Sequence, residues 1–263
     1  MARVRIGAVG YLNARPLVFG LERRADRFEI RFDVPSECAR LLRNGVTDLG
    51  LVPAVEFLQD AEYRIVPGVA VASKGPVESV ALYARRPIAE VTSIALDRSS
   101  NTSAMLVRVL SAARWRIDPT FVEAAPNLEA MTAGCDAALM IGDPALFAQH
   151  EALGLEKIDL GAEWTAFTGL PFVWAFWAGR SGALAPADID VLQAARDAGV
   201  EGIDAIAHAH AAGDDGRRER IAAYLRNRIR YHLDGEFVEG LRRFYALASG
   251  LGLAPSRSPA FYD

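Results

Sequence analysis

The chain has 263 residues, 51% of them hydrophobic and 24% charged, the balance of a globular protein rather than a disordered or fibrous one. Lysine and arginine total 29 against 33 acids, a formal charge of −4, so the overall field repels polyanions and excludes nucleic acid as an expected partner. No apolar window of about 20 residues is free of charge or turn residues, which excludes a membrane-spanning helix and a membrane partner.

At this length two lobes of about 100 to 150 residues, with a cleft between them, are the natural arrangement. Residues 4–9 form a short apolar run that predicts a strand, with a helix following Pro16. Residues 29–34 predict a second strand and 36–44 a helix; after Gly45, residues 48–52 read as a third strand and Pro53 opens a helix through Phe57 and Leu58. This β-α-β-α-β series then restarts. Residues 93–97 predict a strand, 102–115 a helix with Leu106, Val109, Leu110 and Ala113 on one face, and 136–141 another strand. The strand-like stretches 79–84 and 171–178 flank this second series and would serve as crossings between lobes. From Pro186 onward the chain is helical, with Ile221, Leu225 and Ile229 at four-residue spacing, and these helices are expected to return over the first lobe.

The expected fold class is therefore α/β: two lobes, each a mixed, mostly parallel sheet flanked by helices, with the ligand cleft between them. Residues 1–84 and 174–263 would make the first lobe and residues 85–173 the second. Binding sites in such sheets collect at the carboxyl ends of the strands, so the strand-to-helix turns are where chemistry is sought.

Asn13, in Gly10-Tyr11-Leu12-Asn13-Ala14-Arg15-Pro16, occupies the first such turn, either as a helix cap or as an active-site amide. Residues 97–103 (DRSSNTS) supply four hydroxyls, from Ser99, Ser100, Thr102 and Ser103, at a helix start, where unsatisfied N–H groups and the helix dipole favour a carboxylate or phosphate. A simple cap by Thr102 or Ser103 is the bland alternative. Ser79 stands where a crossing strand begins, facing the cleft or merely completing a turn. Asp143, before Pro144, suits the cap of its own helix. Glu56 could enter the cleft as an acid or base, or serve as favourable charge at a helix start. Residues 168–177 alternate aromatics in the manner of a core strand.

Metal binding is not supported, since the only close histidine pair, His208 and His210, points to opposite sides of a helix. The G-x-G-x-x-G, G-x-x-x-x-G-K and G-x-S-x-G patterns are missing, which removes the usual warrants for dinucleotide, nucleoside triphosphate and serine-hydrolase chemistry. Cys38 and Cys135 lack C-x-x-C spacing and read as buried, reduced thiols. Met1 leads into residues 4–9 too quickly for the tripartite order of an export signal, so a cytoplasmic location is expected.

Residues 10–16, 45–56 (GVTDLGLVPAVE), Ser79-Val80, 97–103, 136–145 (DAALMIGDPA) and 168–177, taken together and in order, closely resemble the chorismate dehydratase family over about the first 180 residues. The resemblance implies the type II fold of periplasmic binding proteins. It also implies the dehydration of chorismate to 3-[(1-carboxyvinyl)oxy]benzoate, a step of the futalosine route to menaquinone, with no cofactor and with chorismate as the small-molecule partner. It places Asn13 and Ser79 in the catalytic site. Tyr11, Glu56, Ser99, Ser100, Thr102, Ser103, Gly142, Asp143 and Thr168 are the expected substrate-binding residues. A neutral amide is a poor base, so Asn13 would orient substrate, with the proton passing to a substrate carboxylate or to water. The rival readings are a solute-binding protein for a small carboxylated metabolite and the sibling 1,4-dihydroxy-6-naphthoate synthase. The sequence sets no oligomeric state.

Overall fold

The opening apolar run folds as Val4–Val9 (β1), with all but one residue buried, as befits a parallel strand covered on both faces. The computed structural model describes residues 3–263, so the first two residues of the expected first lobe, with the Met1 start, lie outside the described ones. β1 pairs in parallel with Phe28–Asp33 (β2) on one side and Leu49–Pro53 (β3) on the other. Arg15–Val18 (α1) and Pro35–Arg43 (α2) form the helical connections. Beyond β3 lie two antiparallel partners in turn, Phe172–Arg180 (β10) and Tyr63–Ser73 (β4), giving the order β2-β1-β3-β10-β4.

The second sheet repeats this plan. Ser93–Asp97 (β6) pairs in parallel with Thr120–Ala124 (β7) and Ala137–Ile141 (β8), and Val80–Ala84 (β5) lies antiparallel between β8 and Glu156–Asp159 (β9). Asn101–Leu110 (α3), Leu128–Gly134 (α4), Gly142–Leu146 (α5) and Leu160–Thr168 (α6) flank it. The chain then returns through β10 to Pro186–Glu201 (α7), Ile203–His210 (α8), Asp215–Asn227 (α9) and Gly235–Gly250 (α10). As expected, α7 packs on α1 and β4, and α10 on β10.

The division of the chain departs from the expected boundaries at both crossings. β5, expected in the first lobe, is hydrogen-bonded within the second sheet, between β8 and β9, and β4 pairs with β10 instead. Phe172 and Val173, expected in the second lobe, pair with Ser73 and Ala72 of the first. All five residues of β5 are buried, so its pattern carried no alternation to say which sheet would claim it.

The helix expected after Pro53 is instead a 3-10 turn, Ala54–Gln59, and Pro53 closes β3. Its carbonyls are taken by side chains: the Tyr245 hydroxyl donates to the Ala54 carbonyl at 2.5 Å, and the Arg257 guanidinium donates to the carbonyls of Phe57 and Asp60. The helix expected over 102–115 is α3 followed by a π-helical turn, Ser111–Trp115. The aromatics of β10 enter the core as expected, with Phe172 against Trp164 at 5.2 Å and Phe244 at 4.9 Å between ring centres. Both cysteines are free, Cys38 fully buried and Cys135 half-buried. Burial pushes the Cys38 thiol up to about 12, which keeps it protonated.

Candidate active site

A small cavity of about 50 Å³ lies between the lobes, at the carboxyl ends of β1, β3 and β8. Val9, Leu51, Val71, Val80, Ile141 and Trp174 supply its apolar walls; Tyr11, Asn13, Ser100 and Ser103 supply its polar side chains. Among the described residues no lysine, arginine or histidine lines it. Arg15, the nearest basic residue in sequence, donates instead to the Gly10 carbonyl at 2.9 Å and stacks over the Phe32 ring at 4.8 Å.

Asn13 lies in the 3-10 turn Leu12–Ala14, half-buried. The caps of this turn and of α1 are Tyr11 and Ala14, and neither makes a side-chain cap bond, so the cap alternative for Asn13 is not realised. Helix α9 packs against this turn and carries the buried hydroxyl of Tyr224. That hydroxyl donates to Ser79 Oγ at 2.6 Å. Tyr224 and Ser79 are both fully enclosed. Burial raises the Tyr224 phenol, which therefore stays protonated at neutral pH.

Ser79 is fixed by the crossing that carries it. Glu78 adopts a left-handed φ of 63°, an uncommon conformation for a side-chain-bearing residue. Asp159 accepts the Val77 N–H at 3.1 Å and the Glu78 N–H at 2.6 Å, Lys157 donates to the Glu78 carbonyl at 2.7 Å, and Arg228 donates to the Glu78 carboxylate at 2.5 Å, which together hold it there. Ser79 thus sits behind the cavity wall, reached through Tyr224.

The tyrosine ring of Tyr11 lies across Gly142. A Cβ there would meet ring atoms at 2.7 Å, and Gly142 has a φ of +63°, so only glycine fits. Burial raises the pKa of the Tyr11 phenol, which has Ser99 beside it. Ser99 in turn donates to Asp97 Oδ1 at 2.6 Å, behind the cavity. Burial likewise pushes the Asp97 carboxyl above its ordinary range.

At the start of α3, Ser100 rather than Thr102 or Ser103 is the cap: its Oγ accepts the Ser103 N–H at 3.4 Å and donates to the Ser103 hydroxyl at 2.7 Å. Both serines face the cavity. Thr102 faces the first lobe, where its Oγ1 accepts the Val55 N–H at 3.2 Å. Glu56 is buried away from the cavity; it accepts from Asn101 Nδ2 at 2.6 Å and lies 3.6 Å from an Arg43 guanidinium nitrogen. Asp143 does not cap its own helix. Its Oδ1 accepts the Leu12 N–H at 3.0 Å, closing the Asn13 turn from the opposite lobe, and burial raises its carboxyl pKa. Thr168 donates to the Trp164 carbonyl at 2.9 Å and accepts the Leu170 N–H at 3.2 Å, which finishes α6.

The structure therefore brings Tyr11, Asn13, Ser100, Ser103 and Gly142 to one cavity, with Ser79 behind it. Glu56, Ser99, Thr102, Asp143 and Thr168 make bonds within the fold or between lobes instead. Sequence reasoning missed Tyr224 and the place of Trp174 on the cavity wall. The only signal for Tyr224 was a polar-tipped ring within the stripe of Ile221 and Leu225.

A family model described as menaquinone biosynthesis matches residues 4–250. The chorismate dehydratase of Thermus thermophilus is 31% identical over 271 residues, covering 97% of this chain and 98% of its own. Among solved structures, a protein from Archaeoglobus fulgidus matches with a TM-score of 0.75 at 19% identity, covering 95% of this chain and 98% of that one. The alkanesulfonate-binding protein of Xanthomonas axonopodis pv. citri, bound to MOPS, matches at 0.72 and 19%, with 98% and 96% covered. A Candida albicans gene product described as having the generic periplasmic binding protein fold matches at 0.64 and 12%, with 100% and 99% covered. The two sheets and their order are thus those of the two-lobed periplasmic-binding-protein fold.

Proposed function

Because the chain belongs to the menaquinone biosynthesis family, matched over residues 4–250, we propose that it is a chorismate dehydratase, a carbon–oxygen lyase. The observation that carries the reading beyond kinship is the cavity itself. It sets Asn13 and the Ser100–Ser103 start of α3 in one largely apolar enclosure between the lobes.

In the reaction, the C–H bond on the ring carbon bearing the enolpyruvyl ether breaks and the neighbouring C–O bond breaks. The proton passes to a base, the hydroxyl departs as water, and the ring becomes aromatic. The step is redox-neutral and its driving force lies in the substrate. The protein's share is to orient chorismate, hold its carboxylates and keep bulk water away from the reacting carbons.

The hydroxyls of Ser100 and Ser103, with the free N–H groups of α3, are matched to one carboxylate. Asn13 orients the ring and stabilises charge as it develops; an amide does not serve as the base, so the proton goes to a substrate carboxylate or to water. Tyr11 and Trp174 bound the ring. Ser79 acts from behind the wall. A biosynthetic role of this kind points to the cytoplasm; among the described residues no helix is long and apolar enough to cross a membrane.

The test is purified protein with chorismate and no other addition, followed by ultraviolet absorbance and mass spectrometry. The expected product is chorismate less one water, with aromatic absorption. Folded protein that leaves chorismate unchanged overturns the reading.

A further inference from the structure

The turn that carries Asn13 begins with a donor that its own segment does not satisfy. The first N–H groups of a helical turn have no internal partner, and a side chain just ahead of the turn commonly accepts one of them. Here the residue ahead is Tyr11, in extended conformation, and its side chain makes no cap bond. The Ala14 N–H closes the turn on the Tyr11 carbonyl at 3.0 Å. The Leu12 N–H is satisfied from the opposite lobe, by Asp143 Oδ1 at 3.0 Å. The two segments meet in step, for the Tyr11 ring lies on Gly142, so close that an added Cβ would stand 2.7 Å from it. We propose that Asp143 is a positioning residue for the dehydration, capping the Asn13 turn across the cleft and so fixing where Tyr11 and Asn13 stand in the cavity. The inference rests on the proposed dehydratase function.

The Leu12 N–H belongs to the peptide unit that joins Tyr11 to Leu12. A peptide unit is planar and turns only about the two dihedrals on either side of it, so holding its N–H sets the direction in which Tyr11 and Asn13 leave the backbone. Both of those side chains line the cavity, whereas Asp143 does not, and it therefore acts through the turn. The lobes have other ties beside this one. Arg220 on α9 donates to the Leu146 carbonyl at 2.5 Å, the Arg217 guanidinium lies 4.0 Å from the Phe147 ring centre, and the Val55 N–H reaches Thr102 at 3.2 Å. Removing the Asp143 side chain thus loosens the turn and leaves the lobes joined. A turn free to rock loses the alignment that reaction needs. Ser100 and Ser103, at the start of α3, keep their places, so binding is spared.

The experiment compares the wild type with Asp143→Ala, Asp143→Ser and Asp143→Asn. Alanine removes the acceptor, serine is too short to span the gap, and asparagine keeps an acceptor oxygen while losing the charge. Single-turnover rates with chorismate read the chemical step apart from product release; kcat, KM, melting temperature and product affinity, from tryptophan fluorescence, accompany them. Asp143→Ala and Asp143→Ser should lower the single-turnover rate about 10- to 100-fold, as a small misplacement does. KM and product affinity should stay within about threefold, and Asp143→Asn should recover the rate to within about fivefold of the wild type. Undiminished rates in the alanine and serine variants, a loss carried by KM, or an asparagine variant as slow as the alanine one overturns the proposal. A wild type inert to chorismate overturns the function itself, a different result from an active wild type beside an equally active Asp143→Ala. The Leu12 amide gives a readout independent of turnover. In protein carrying isotope-labelled leucine, its resonance is assigned by its loss in Leu12→Ile. It should exchange slowly in the wild type and Asp143→Asn and fast in Asp143→Ala; equal exchange in all three counts against the proposal.

Discussion

Removing the Asn13 side chain takes nothing from the backbone, since the turn that carries it is capped from elsewhere, by Asp143 on the Leu12 N–H. Asn13→Ala is therefore expected to lower turnover at least about 100-fold, as loss of an oriented dipole at developing charge does. Unfolding free energy should change by less than about 0.5 kcal/mol, as for a site outside the cap and core classes. Parallel chorismate assays and denaturant titrations check this; a matched fall in both would mean that Asn13 serves the fold. Asn13 was legible because it follows a strand on the binding edge of a sheet. Its choice between cap and cleft was not, since both use the same residue type in the same turn. Asp143 illustrates the converse: the residue type signalled a cap, and it is one, for a helical turn 131 positions away.

Among the elements, α7 shows how a tail helix is fastened. Asp188 accepts the Ala185 N–H at 2.8 Å and forms a bidentate ion pair with Arg27 at the entry to β2. The Arg27 guanidinium holds the Asp188 carboxyl below the usual carboxylate range. A carboxyl whose folded pKa is depressed adds stability above its unfolded pKa, and that stability is lost as pH falls through the depressed value. Asp188→Asn should therefore be less stable than the wild type by about 2 kcal/mol at neutral pH. The gap should close below about pH 3. Thermal unfolding at both pH values tests this, and a gap independent of pH would place the effect in packing. Asp97 and Asp143, raised by burial, work in the opposite sense and favour the fold as pH falls. The alternating strands and the amphipathic α3 were readable from period alone. The 54–59 turn was not, because the Tyr245 and Arg257 side chains that claim its carbonyls come from about 190 to 200 residues later. For the same reason α9 read as a buried stripe and no more.

For the molecule as a whole, a negative net charge and a cavity lined by uncharged groups have a kinetic consequence. A dicarboxylate approaching this protein is repelled rather than steered, and added salt screens that repulsion. With chorismate, kcat/KM should hold steady or rise between about 50 and 300 mM salt. A tenfold fall over that range, in steady-state assays, would reveal a cationic binding group. The two-lobed plan followed from length and the restarting strand pattern. The lobe boundary did not, since a fully buried strand such as β5 fits either sheet by composition. Beside the cavity, three of the hydrogen bonds between the lobes have as donors main-chain amides of the first lobe, at Leu12, Ser36 and Val55. Their acceptors are Asp143, the Ser99 carbonyl and Thr102, all in the second. Main-chain amides survive every substitution except proline, so at these contacts the first jaw is constant and the Asp143 and Thr102 side chains are the adjustable part of the latch. Replacements at positions 102 and 143 alone could retune how quickly product escapes, with the strand-end residues of the first jaw left untouched.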